Sequence, residues 1–180
     1  MGVPMKRNVK RHAVTQPLDQ SIKLIALTKG QTMKVSAHRY GAFMQHSWYA
    51  LKGQNIPGYY AATKVWRDGK YHTIYAHRFV LGLEAGNPFE GDHKNHDTLD
   101  NTDGNIRHAT RTQQLQNTKH RKNNTSGHKG ISWHKASSRW RACLNVEGRQ
   151  KSLGYFLTYE EAVAVYVEAV PKYFGEFACL

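Results

Sequence analysis

The stretch GDHKNHDTLDNTDGNIRHATRTQQLQN, residues 91–117, decides how this chain is read. It opens on an acid–histidine pair, Asp92-His93, preceded by Asn87-Pro88 and Glu90-Gly91, and runs through a polar loop from Lys94 to Asn101. Asn105-Ile-Arg-His-Ala109 then reads as a short strand. Thr110 followed by Gln113 matches a capping box, in which the threonine side chain takes an orphan backbone amide of a new helix. That helix is predicted to run to about Thr118 or Lys119 and to carry Gln113, Gln114 and Asn117. The chain order is therefore strand, loop, strand, helix.

Adjacent strand residues point to opposite sides, so one of Asp92 and His93 can face a helix-borne ligand while a kinked turn brings the other to a substrate. Such an arrangement suits phosphodiester hydrolysis. A carboxylate offers a hard oxygen to Mg²⁺, which is commonly held by one or two carboxylates plus substrate phosphate oxygens. A histidine titrates near neutrality and can take the proton from an attacking water.

Upstream, residues 21–55 alternate short apolar runs with turns, and the same manner continues through Tyr59–Ala62, Lys64–Trp66 and Tyr71–Tyr75. Lys29-Gly30 and Asp68-Gly69 are hairpin signals, so a small antiparallel sheet is predicted, followed by a short helix over His77–Leu83. Downstream, strands are predicted at about Gly130–His134, Arg139–Val146 and Arg149–Phe156, joined at Ser137-Ser138 and Glu147-Gly148. A second capping box, Thr158 with Glu161, opens a helix on which Ala162, Tyr166, Ala169, Val170 and Tyr173 recur at helical spacing. Pro171 should kink or stop it, since an interior proline costs about 3 kcal/mol. Trp133 and Trp140 are expected to pack in a core. The fold class is α+β: a small N-terminal antiparallel sheet leading into the strand–loop–strand–helix module, then a three-stranded antiparallel sheet packed on one helix. In residues, this gives a basic tail over 1–17, a first module over 18–120, a linker over 121–128 and a second module over 129–180.

With 180 residues the chain has room for one domain or two small ones, and 39% hydrophobic residues suffice for a packed core. Lys+Arg number 26 against 13 Asp+Glu, a net charge of +13 that makes a polyanion the first partner to consider. No run is apolar enough for a membrane span, the basic N-terminus does not resemble a secretory signal, and Cys143 and Cys179 cannot form a disulfide framework. A reducing, cytoplasmic location is expected, with no membrane partner and no protein partner inferable. The segment from Gly104 to Lys129 carries Arg107, Arg111, Lys119, Arg121, Lys122 and Lys129 and no acid, so it and the tail should supply sequence-independent affinity for DNA. No serine or cysteine has the neighbours of an activated nucleophile.

Tyr75-Ala-His77-Arg78, Gly91-Asp92-His93, Leu99-Asp100-Asn101, Asn105-Ile106-Arg107 and Ala109-Thr110 through Gln113 to Asn117 together resemble the HNH endonucleases of the ββα-metal type, especially those of phages and mobile introns. The resemblance implies a Mg²⁺- or Mn²⁺-dependent enzyme of the homing kind, acting on double-stranded DNA in a bacterial or phage-infected cell. It makes Asp92 a metal ligand, His93 the general base, and Asn105 the asparagine that ties the loop and orients the histidine. Where relatives carry a Gln-Asn pair this chain has Gln113-Gln114, so the second ligand is Gln114 or Asn117. His96 occupies a loop position where relatives often have glycine. His77 matches a family position near the catalytic centre. The alternative implied by the helix substitution is a non-catalytic DNA-binding regulator; a third reading is a ribonuclease or RNA binder.

From Gly130-Ile131 through Trp140-x-Ala142-x-Leu144, Leu153-Gly154-x-Phe156-x-Thr158 and Glu160-Glu161-Ala162 to Gly175-Glu-Phe-Ala178, the chain is similar to the Apetala/ERF-type DNA-binding domain. In that family the sheet lies in the major groove. The similarity implies DNA contacts from Ser132, His134, Arg139, Arg141, Asn145, Gln150 and Ser152 of the sheet, beside Arg107, Arg111, Lys119, Arg121 and Lys122 of the bridge.

Overall fold

The computed structural model describes residues 11–53, 58–118 and 124–179. The expected contacts Lys119, Arg121 and Lys122, most of the basic tail, and the first part of the expected linker lie outside those residues. The chain divides into two compact units between His108 and Ala109.

The first unit begins with strands β1 (Ile22–Ala26) and β2 (Thr32–Ser36), an antiparallel pair turned at Lys29 and Gly30, both at positive φ. A short helix, α1 (Tyr40–Met44), leads to β3 (Tyr49–Lys52), β4 (Tyr59–Arg67) and β5 (Lys70–Tyr75), which form an antiparallel sheet in that order. Helix α2 (Ala76–Val80) is followed by β6 (Glu90–His93), β7 (Asp100–Asn101) and β8 (Ile106–Ala109), with β6 paired to β8. The N-terminal strands thus make two separate sheets where one was predicted. The first also holds a parallel pair, because β7 joins β2 with Val35 opposite Asn101 while the Lys34 amide donates to Leu99 O at 2.8 Å. A two-residue strand has no detectable period, so only the tertiary pairing defines it.

Between these sheets lies a core of Ile25, Leu27, Met33, Val35, Phe43, Trp48, Ala50, Ala61, Ala76, Val80 and Ile106. Phe43, Trp48 and Phe79 form a mutually tilted aromatic cluster with centroids 4.8–5.6 Å apart, and the buried indole Nε1 of Trp48 donates to Phe43 O at 2.8 Å. Burying the indole with its N–H satisfied is what makes it compatible with a dry core.

The second unit opens with helix α3 (Arg111–Gln116), capped as predicted by the reciprocal Thr110–Gln113 box. Strands β9 (Ile131–His134), β10 (Arg139–Val146) and β11 (Arg149–Phe156) follow, antiparallel with β10 central, and helix α4 (Tyr159–Phe174) packs across all three. Placing α3 here, rather than with the first module, has a local cause. The Lys129 ammonium lies 3.3, 2.7 and 2.9 Å from the carbonyls of Leu115, Gln116 and Thr118, satisfying the open end of the helix. The residues after 123 are likewise not a loose joint, since Ser126 Oγ sits within 2.9 Å of Asn124 Oδ1, His128 O and Ile131 O.

Helix α4 is capped by Thr158 and Glu161 as predicted, and it continues past Pro171 to Phe174 instead of stopping. Its buried stripe is Ala162, Tyr166, Val170 and Phe174, so Phe174 takes the core position expected of Tyr173, which is exposed beneath the Lys151 ammonium. Burial of Phe174 and Phe177 anchors the last turn and offsets the hydrogen bond that the proline removes. Gly130, at φ +75°, is enforced by space: a Cβ there would lie 2.2 Å from Tyr166 and 2.5 Å from Cys143 O.

Candidate active site and nucleic-acid interface

Asp92 and His93 end strand β6, and both are buried at 6% exposure. The Asp92 carboxylate does not stand alone. Its Oδ2 accepts from Nε and Nη2 of Arg107, each at 2.9 Å, across the β6–β8 pair. Arg107, expected as a DNA contact, is itself only 8% exposed and is therefore a clamp on Asp92 rather than a surface cation. Sequence reasoning assigned the guanidinium to phosphate because charge counting carries no information on burial.

Immediately after His93 the chain turns back on itself, with the His96 amide donating to His93 O at 3.1 Å and His96 at φ +63°. That left-handed conformation is one glycine adopts most easily, which accounts for a position where glycine was the expected residue. Asn105 spans the loop: its Nδ2 donates to Asp100 O at 2.7 Å and its Oδ1 accepts from the Asn95 amide at 3.0 Å. Asn105 thus ties the loop, and a second asparagine, Asn101, acts on His93.

Asn101 was not among the predicted site residues. It is fully buried, held by its pairing to Val35, and neither amide atom completes a hydrogen bond of ordinary geometry among the described residues. Its amide interacts with the imidazole and, with the carboxylates of Asp92, Asp97 and Asp100, favours the protonated ring; burial is the larger effect and holds the His93 pKa below the usual histidine value. At neutral pH the His93 imidazole is therefore uncharged.

The other side of His93 is aromatic. His77 stands edge-on to it at 5.1 Å and 74°, with Tyr60 at 6.3 Å and Tyr75 stacked on His77 at 5.6 Å. Gly91 makes this approach possible, since a Cβ there would lie 2.5 Å from His77 Cδ2. Burial, then the neighbouring His93 and Arg78, push the His77 pKa down to about 3. The sign follows: an unfolded histidine takes a proton near pH 6.5 that folded His77 refuses, so His77 weakens the fold progressively as pH falls from about 6.5 toward 3 and has no such effect above that range. Urea midpoints measured between about pH 7 and pH 4 should fall, and fall less steeply in His77→Phe.

Helix α3 brings its two expected ligands into different settings. Gln114 Oε1 accepts from Arg111 at 3.2 Å, whereas Asn117 is the buried C-cap, 5% exposed. Among the described residues no group of three or more His, Cys, Asp or Glu side chains could hold a metal ion. Asp92 nevertheless presents a hard carboxylate oxygen, fixed by Arg107, of the kind Mg²⁺ or Mn²⁺ takes.

On the sheet of the second unit, Ser132, Arg139, Asn145, Gln150 and Ser152 are exposed, and His134 and Arg141 are partly so, on the face opposite buried Ile131, Ala142 and Leu144. Arg141 Nη2 donates to Gln150 Oε1 at 2.5 Å, and His134 Nδ1 lies 2.8 Å from Ser137 Oγ. A bulge between Ala142 and Cys143 makes Leu153 the extra residue and reverses the phase of β11 beyond it. Phe156 therefore packs on the core, while Tyr155 lies opposite Arg141 on the outer face, 45% exposed and edge-on to His134 at 5.1 Å. Uninterrupted alternation hides Tyr155. Trp140 packs against the core and Tyr159 as expected, but Trp133 is 47% exposed.

No family model, curated protein or solved structure matches this chain. Among the described residues no helix is long and apolar enough to cross a membrane.

Proposed function

We propose that the chain is a metal-dependent endonuclease of the HNH kind that hydrolyses phosphodiester bonds of double-stranded DNA. The observation that supports it most directly is the buried Asp92–His93 pair, with the carboxylate clamped by Arg107 and the following loop tied by Asn105. Burial keeps His93 neutral, able to accept a proton from water at its ring nitrogen. Asp92 would hold the divalent ion, with phosphate and water oxygens completing its shell. When bound, Mg²⁺ or Mn²⁺ supplies charge stabilisation at the phosphate and activation of the leaving oxygen. The outer face of the second unit's sheet grips the duplex through Arg139, Arg141 and their polar neighbours, with phosphate contacts positioning and base contacts selecting.

A second reading, a DNA-binding regulator without chemistry, is favoured by the commitment of Gln114 Oε1 to Arg111 and of Asp92 Oδ2 to Arg107. Long duplex DNA incubated with Mg²⁺ or Mn²⁺, against EDTA controls, separates the two. Cutting with either ion that EDTA abolishes, with duplex binding retained in EDTA, is the expected outcome. Binding without cutting under every condition establishes the regulator, and preferential cutting of RNA overturns the choice of substrate.

A further inference from the structure

The β4–β5 hairpin outruns the core to which it belongs. Ala61, Ala62 and Thr63 are buried at 1%, 0% and 2%, yet between Lys64 and Thr73 only Val65 and His72 are even partly covered. Pairing continues in register to the tip, with Lys64 opposite Thr73, Trp66 opposite Tyr71 and Arg67 opposite Lys70. Asp68 and Gly69, at φ 53° and 74°, close it with the two-residue turn whose twist matches the strands. At about 3.3 Å per residue, these four residue pairs, three of them exposed, form a ribbon roughly 13 Å long.

The side chains on this ribbon are unusual for a solvated turn. Trp66 and Tyr71 are each 56% exposed and contact one another edge-on, centroids 4.7 Å apart, and neither belongs to the core. Lys64 shares their face, and Arg67 and Lys70 flank the tip on the other. Asp68 is the one acid in the ribbon; the nearest carboxylate partner beyond it, Glu84, meets Arg67 only at 3.9 Å with both side chains more than half exposed. Cross-strand aromatic pairing stabilises a hairpin, but it does not call for a cation on the aromatic face and two more on the opposite face at the tip. A cationic ribbon tipped with aromatic surface is complementary to a polyanion that also offers apolar base edges, and a two-stranded ribbon fits the major groove of duplex DNA.

We propose that the β4–β5 hairpin is a second DNA-binding element, an arm that enters a groove of the duplex with Trp66 and Tyr71 against base edges and Lys64, Arg67 and Lys70 on phosphates. This rests on the duplex-DNA reading above and adds a contact from the first unit that the sequence resemblances did not assign.

The test uses the full chain and a fluorescently labelled duplex, with affinity measured across a salt titration. Because all three cations are exposed, the variant Lys64→Gln/Arg67→Gln/Lys70→Gln leaves the fold intact, which a melting curve checks. Each lost phosphate contact removes about 0.9 from the slope of log K against log salt, so the slope should fall by roughly 2 to 3 and the affinity near 0.15 M salt by at least about tenfold. Trp66→Val/Tyr71→Val, which keeps strand-forming residues, should weaken binding severalfold with the slope unchanged. Wild-type binding that both variants reproduce in affinity and slope overturns the arm while leaving the duplex-DNA reading in place. A wild-type chain that binds no duplex at any salt overturns that reading, and the arm with it.

Discussion

Replacing His93 by alanine should lower the rate of DNA cleavage by roughly 10² to 10⁴, the usual contribution of a positioned general base, while duplex affinity stays within about twofold because the cations proposed to grip phosphate are elsewhere. The imidazole is 6% exposed, its ring bracketed by Asn101 and the His77–Tyr75–Tyr60 cluster, so no neighbouring side chain can replace it as a base without moving into the cavity it leaves. The pH profile carries a second, independent signature. A base whose pKa is held below the usual histidine value is already deprotonated where a free imidazole is still charged, so the wild-type rate should hold its plateau below about pH 6.5 and decline only at more acid pH. A His93→Ala protein that is folded and cuts as well as wild type removes His93 from the chemistry; a rate that halves near the free-imidazole pKa shows that burial does not govern its titration in the working enzyme.

Asp92→Ala has the second large expected effect, and it falls on stability as well as on activity. The substitution leaves the Arg107 guanidinium buried at 8% exposure without the carboxylate that accepts two of its bonds, and stranding one partner of a buried ion pair costs about 3–5 kcal/mol. That is large against the ~5–15 kcal/mol total of an ordinary domain. Adding Arg107→Met removes the stranded charge and fills similar volume, so the double variant Asp92→Ala/Arg107→Met should recover most of the lost stability in urea unfolding. Cleavage should not recover, since the double variant still lacks the hard oxygen donor. Recovery of both together would make Asp92 a structural partner of Arg107 and nothing more; failure of the double variant to regain stability would mean that the pair is not the main support of this site.

Much of the secondary structure was legible in residues close together along the chain. Both capping boxes, at Thr110 and Thr158, formed as read, and the Asp68-Gly69 turn closes the hairpin expected of it. The failures are of another kind. Arg107 looked like a phosphate contact because its partner is 15 residues away. Tyr155 was not among the expected outer-face residues, because one extra residue at the bulge opposite Ala142 and Cys143 inverts the alternation. Pro171 was expected to kink or stop the helix, and it does not stop it, because propensity says nothing of the burial of Phe174 that holds the final turn.

What the residues by themselves determined was the α+β class, the order of strand, loop, strand and helix around Asp92-His93, the sheet-and-helix C-terminal unit, and a charge suited to a polyanion. Those depend on caps, turns, side-chain period and net charge, each acting over a few residues or over none in particular. Only the tertiary structure decided that Asp92 is clamped by Arg107, that buried Asn101 acts on the histidine, and that an aromatic, basic ribbon stands clear of the first core. Burial and long-range pairing are properties of the packed chain, and local sequence holds no record of which distant groups will share a low-dielectric interior.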